Sequence, residues 1–167
     1  MKKNNQFIKS ALIVAVGFAF ANSALAVEAT STFQVTATVA DSCLVSATNM
    51  DFGPYDPNGS TLTADSEINA TCTNGTDYTI TLSGGDSANA APAGGTRAMT
   101  GTVSADKLGY ELYSDSGRTT IWNETTTVSG TGVLAGSVIH TVYGELPAGQ
   151  FVQADSYEDT INVTLDY

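Results

Sequence analysis

The C-terminal stretch Tyr157 to Tyr167 places Tyr157, Ile161, Val163, Leu165 and Tyr167 at odd positions and Glu158, Thr160, Asn162, Thr164 and Asp166 at even ones. A period of two is the signature of a strand with one face buried, and it is incompatible with an amphipathic helix, whose apolar residues recur at 3.6. The same alternation recurs upstream. Ile68, Ala70 and Cys72 alternate with polar neighbours, as do Tyr78, Ile80 and Leu82 after Asn74-Gly75, which predicts a hairpin. Arg97 to Val103, Leu108 to Leu112 and Val138 to Leu146 read as further strands, the last ending at Pro147. Met50 to Phe52 predicts a short strand running into turns at Pro54, Pro57 and Asn58-Gly59, and Ser83 to Gly95 predicts a surface loop with almost nothing to bury. No amphipathic helical stretch occurs beyond residue 26. Short strands at this spacing, separated by turn signals, predict an all-β sandwich.

The first 26 residues are excluded from that fold. Lys2, Lys3 and Lys9 precede an apolar run from Ala11 to Ala21, and Ala24-Leu25-Ala26 has the small-x-small form of an export cleavage site. The run is too short to span a bilayer, which takes about 20 residues. Residues 1–26 therefore read as a Sec signal peptide, and residues 27–167 as an exported, soluble product. That product keeps three basic residues, Arg97, Lys107 and Arg118, against 17 acidic ones, a formal charge of −14. Such a surface repels phosphate backbones and anionic lipid, so nucleic-acid binding and simple membrane adhesion are disfavoured.

Two cysteines, Cys43 and Cys72, remain in a chain bound for an oxidising compartment, and a disulfide is the expected pairing. A loop of about 29 residues closed in this way contributes roughly 3.5 kcal/mol on the chain-entropy account. Metal ligation is not expected, because structural zinc takes four ligands and the one histidine, His140, has no cysteine or second histidine near it in sequence. No Gly-x-Ser-x-Gly elbow or other catalytic constellation is present, and neither an enzyme nor a cofactor is expected. Asp56-Pro57-Asn58-Gly59 lacks the further acidic positions of a calcium loop and reads as a turn.

Directly after the export site, Phe33, Val35, Ala37 and Val39 alternate with Gln34, Thr36 and Thr38. This segment can be the first strand of its own domain or a strand lent to another chain, since terminal strands tend to be sheet edges and edges invite pairing.

Taken in order, Cys43-Leu44-Val45, Met50 to Asp56 with its Phe-Gly-x-Tyr-Asp core, Cys72, Leu108 to Asp115, Trp122, Tyr143-Gly144-Glu145-Leu146-Pro147 and the Tyr157 to Tyr167 ending resemble the spore coat protein U domain family, which includes major pilin subunits of archaic chaperone–usher pili. The resemblance covers essentially all of residues 27–167. It implies an immunoglobulin-like β-sandwich that lacks one strand, completed by a donor strand from a periplasmic chaperone and then from the next subunit, with an outer-membrane usher directing the exchange. Residues 27–40 would be the donor segment, with Phe33, Val35, Ala37 and Val39 as anchors, and residues 41–167 the pilin domain. Ile161, Val163, Leu165 and Tyr167 would border the acceptor groove. The implied role is a structural subunit of a surface fibre supporting attachment and biofilm formation, exported to the periplasm and then to the cell surface. The partners would be copies of itself or related pilins. A different reading is a self-complete secreted sandwich, either binding a glycan on Tyr55, Tyr113 and Trp122 or serving as a coat or matrix protein.

Overall fold

Nine strands and no helix make up the described part of the chain, with β1 at Cys43–Ala47, β2 at Leu62–Cys72, β3 at Asp77–Leu82, β4 at Arg97–Gly101, β5 at Lys107–Tyr113, β6 at Val128–Thr131, β7 at Val138–Leu146, β8 at Tyr157–Glu158 and β9 at Val163–Asp166. The structure, a computed structural model, describes residues 27–87 and 97–167; the expected signal peptide, and residues 88–95 of the expected surface loop, lie outside them. Two units are distinguished, Met1–Ala37 and Thr38–Tyr167. In the first, residues 27–37 carry no regular secondary structure and are exposed. The second holds all nine strands.

The strands form two sheets. One has six strands in the order β1-β2-β7-β5-β4-β8, and the other has three in the order β6-β3-β9, all neighbours antiparallel. Ile68, Ala70 and Cys72 from the first sheet face Tyr78, Ile80 and Leu82 from the second, and with Leu108, Tyr110, Leu112, Trp122, Val142 and Leu146 they form one core. This is an all-β, immunoglobulin-like sandwich. Cys43 and Cys72 stand directly opposite each other across the β1–β2 ladder and are disulfide-bonded.

Three expectations need correction. The alternating runs at Ile68–Cys72 and Tyr78–Leu82 are not a hairpin: β2 pairs with β1 and β7, whereas β3 pairs with β6 and β9. The turn at Asn74-Gly75, where Gly75 takes φ +84°, carries the chain across the sandwich instead. The terminal run is likewise two strands, β8 pairing with β4 in one sheet and β9 with β3 in the other. A period of two reports only that alternate residues face a core, and residues on either wall of a sandwich face the same core. Met50 to Phe52 forms no strand; Met50 and Phe52 are half-buried as a loop packed on Gly144, where any Cβ would collide with both side chains. Phe33 to Val39, expected either as a first strand of this domain or as a strand lent to another chain, have no ladder partner among the described residues: Phe33 is 88 %, Val35 81 % and Val39 80 % exposed.

A polar knot ties the two sheets at one end. Arg97, fully buried on β4, donates from Nη1 to Glu111 Oε1 at 2.6 Å, from Nη2 to the Trp122 carbonyl at 2.7 Å, and to the Ser83 carbonyl just beyond β3 at 2.8 Å. Trp122 Nε1 in turn donates to the Ile80 carbonyl at 3.0 Å. Nothing in the alternation of the sequence separates this arginine from a solvent-facing one.

Candidate functional site

Two edges of the sandwich lie open where its sheets meet. Among the described residues β1 has a ladder partner only in β2, and β9 only in β3, so each leaves a row of backbone N–H and C=O groups unpaired. Cys43 points into the core, so Val45 and Ala47 share its face by the period of the strand. Val45 is nevertheless 37 % exposed.

Between the two edges runs a groove of about 480 Å³. Its floor is core side chains, Ile68, Leu82, Tyr110, Leu112 and Val142. One lip is Ala47 to Met50 with Phe52, the chain leaving β1; the other is Tyr157 to Ile161 with Val163, the crossover from β8 to β9. Of the residues expected at an acceptor groove, Ile161 and Val163 line it. Leu165 packs against the core farther along β9. Tyr167 is exposed and borders a separate shallow depression with Asp77, Tyr78 and Gly130.

Sequence reasoning did not anticipate how the second lip is fixed. Tyr110 Oη donates to Asp159 Oδ2 at 2.6 Å, while Asp159 Oδ1 accepts from the backbone N–H of Asp86 at 2.7 Å and of Thr160 at 2.9 Å. Burial first, and the hydrogen bond to Asp159 second, push the Tyr110 hydroxyl far above the ordinary tyrosine range, so it stays a donor. The first lip is set by the Phe-Gly-x-Tyr-Asp segment. Phe52 meets Tyr110 edge-on with ring centroids 6.2 Å apart, Gly53 supplies φ +71°, and Tyr55 Oη donates to the Pro147 carbonyl at 3.0 Å while accepting from Gln150 N–H at 2.9 Å. Gln150 then closes the β5 edge beyond the end of β7, its amide bonding both the N–H and the carbonyl of Gly109. The most specific sequence motifs are thus the two lips of the groove and their supports.

The aromatic platform expected of a glycan binder is not present. Trp122 is buried in the core and Tyr55 is half-buried with its hydroxyl engaged on both sides; Tyr113 is half-buried on β5.

The profile of the spore coat protein U domain family matches residues 29–164. The chain belongs to that family. Protein U of Myxococcus xanthus is 32 % identical over 174 residues, covering 95 % of this chain and 96 % of the relative. A solved structure of a chaperone–tip adhesion subunit pre-assembly complex, from archaic chaperone–usher Csu pili of Acinetobacter baumannii, contains a chain with the same fold. The TM-score is 0.59 at 22 % identity, and the match covers 78 % of this chain and 40 % of that one. Of the segments that carry the family resemblance, Tyr157 to Tyr167 contains Asp159, and Tyr143-Gly144-Glu145-Leu146-Pro147 contains both Gly144 and Pro147. These are the residues that hold the lips.

His140 sits away from the groove and joins the sheets. Its Nε2 lies 2.9 Å from Tyr78 Oη, and its ring meets those of Tyr78 and Trp122 edge-on. Desolvation holds its pKa below the ordinary 6.5, so the folded state prefers the neutral ring. The stability it contributes is present above the unfolded value and is lost as pH falls through about 6.5 towards the lower folded value. Thermal melts at pH 7.5 and 5.0 should therefore show a larger drop for the native chain than for His140→Phe, in which this titration is absent. Equal drops would contradict the assignment.

Proposed function

We propose that this protein is a non-enzymatic structural subunit of a surface fibre, and that the groove accepts a strand from another chain. In this reading residues 27–40 are the donor segment of one subunit, with Phe33, Val35, Ala37 and Val39 as anchors, and the groove beside Ile161 and Val163 in the next subunit is the acceptor. The carrying observation is the pairing of a groove floored by apolar side chains, flanked by two ladder edges unpaired among the described residues, with an exposed segment of period two in the same chain. A strand laid in the groove would bond both edges through its backbone and bury its odd side chains on Ile68, Leu82 and Val142. Leu165 and Tyr167 would then flank the joint rather than floor it.

The contact is head to tail and does not close on itself, so it generates a filament. An empty groove on a newly exported subunit leaves two unpaired strand edges beside half-buried Met50, Phe52, Ile161 and Val163, which calls for a periplasmic chaperone to cover it and an outer-membrane usher to exchange the cover for the next subunit. The likeness to a chain of a chaperone–subunit pre-assembly complex supports that route. Sec export through residues 1–26, passage through the periplasm, and attachment and biofilm formation at the cell surface complete the reading.

Deletion of residues 27–40 tests it. The truncated subunit should still co-purify with its chaperone, since its groove is intact, and should fail to add to a growing fibre when released. Fibres formed by the truncated chain would exclude this segment as the donor.

A further inference from the structure

If the arm completes a groove, the groove of its own chain is the one tethered to it, and the sequence is in phase for that outcome. A hairpin with Ala40-Asp41-Ser42 as its loop would set Val39 opposite Cys43, Ala37 opposite Val45 and Val35 opposite Ala47. Each of these pairs falls on the face that Cys43 turns to the core. Pattern alone therefore does not prevent a subunit from capping itself, which would end assembly.

The three residues of that loop are held straight instead. Ser42 continues the β1–β2 ladder past the disulfide, its carbonyl accepting from Thr73 N–H at 2.8 Å. Thr73 Oγ1 shares its one proton between the carbonyls of Ala40 at 3.4 Å and Ser42 at 3.3 Å, and Thr76 Oγ1 donates to Asp41 Oδ1 at 2.9 Å. Ala40 to Ser42 thus prolong β1 along the crossover turn that joins the two sheets. The groove is lined by the opposite end of β1, from Ala47 onward. To turn back, the chain must break these bonds within three residues, none of them the glycine that a three-residue hairpin favours at its left-handed position.

We propose that the Asp41, Thr73 and Thr76 bonds are a pin that keeps the arm from folding into its own groove and so commits it to another copy. The pin rests on the groove reading above and adds a claim of its own: self-capping is prevented by these bonds, not by the sequence of the arm.

The test uses residues 27–167, refolded oxidised at nanomolar concentration, and a fluorescent synthetic peptide of residues 27–40 followed by size-exclusion chromatography. Open monomers capture the peptide; self-capped monomers do not. Native chain is expected to capture it almost completely. Asp41→Ala/Thr73→Val/Thr76→Val, which removes the side-chain bonds of the pin, is expected to raise the peptide-refractory monomer roughly tenfold, as the loss of about two hydrogen bonds would. Thr76→Val alone should give a smaller rise, which keeps the test decisive should the triple variant not fold. Insertion of Gly-Asn-Gly-Ser between Val39 and Ala40 leaves the pin intact but supplies a free turn in the same phase, and it too should yield refractory monomer. Pin variants that capture peptide as the native chain does would overturn the proposal, including the case in which only the insertion self-caps, because the shortness of the turn would then be the restraint. Failure of the native chain itself to capture peptide overturns the groove reading, and with it the pin, and is recognised by being common to every variant.

Discussion

Glu111→Ala should destabilise the sandwich by about 3–5 kcal/mol, the usual cost of removing one member of a buried ion pair. On a domain of this size that corresponds to a fall in Tm of about 10–20 °C. Arg97 has no exposed surface, and its Nη1 sits 2.6 Å from Glu111 Oε1, so taking away the carboxylate leaves a guanidinium in the core without the charge that offsets its desolvation. Removing both charges is a different matter. Arg97→Met with Glu111→Leu leaves no buried ion, although the Ser83 and Trp122 carbonyls lose a donor at a cost of about 1–3 kcal/mol each. The double variant should therefore be less destabilised than the sum of the two single ones, in thermal or urea melts of the oxidised protein. Strict additivity would mean that the pair is not coupled. By contrast the exposed pair Arg118–Asp65, at 3.1 Å, should contribute no more than about 1 kcal/mol.

This knot also marks where reading the sequence stops. Strand existence was legible almost throughout because half-burial writes a period of two into the residues themselves, and β7 runs from Val138 to Leu146 as that pattern predicts. Sheet membership was not legible. Tyr78 to Leu82 and Ile68 to Cys72 face one core from opposite walls, and only the ladder partners, Leu165 for Ile80 and His140 for Ile68, reveal which wall each occupies. Arg97 begins a strand in a polar context and carries no mark of burial; its role depends on three acceptors that lie 14 to 25 residues away. The groove was half legible for the same reason. Ile161 and Val163 followed from the alternation and the family likeness, whereas Met50, Phe52 and Met99 line it from segments with little or no periodic signal. Asp159 is a polar residue at an odd, inward-phase position of the alternating run, and that break in the apolar phase was the sequence signal for a side chain that fixes the groove wall through Tyr110.

The sharpest consequence of the groove reading is that the arm should be sensitive to charge at every second position only. Phe33→Asp/Val35→Asp and Gln34→Asp/Thr36→Asp each add two carboxylates to neighbouring positions of a chain that is already strongly acidic, so they match in net charge and in the residues introduced. They differ in phase. If the odd side chains enter the groove, the first pair forfeits two apolar burials of roughly 1.5–3 kcal/mol each and forces charge onto an apolar floor, lowering the affinity of the joint by about 10²–10⁴-fold or more. The second pair keeps its carboxylates on the solvent face and should change affinity by no more than about threefold. Competition of the corresponding residue 27–40 peptides for the native subunit, read alongside fibre formation by the full-length variants, measures both. Equal losses from the two pairs would mean that the arm binds without a buried face, and a groove built on Ile68, Leu82 and Val142 would have no strand to receive from it.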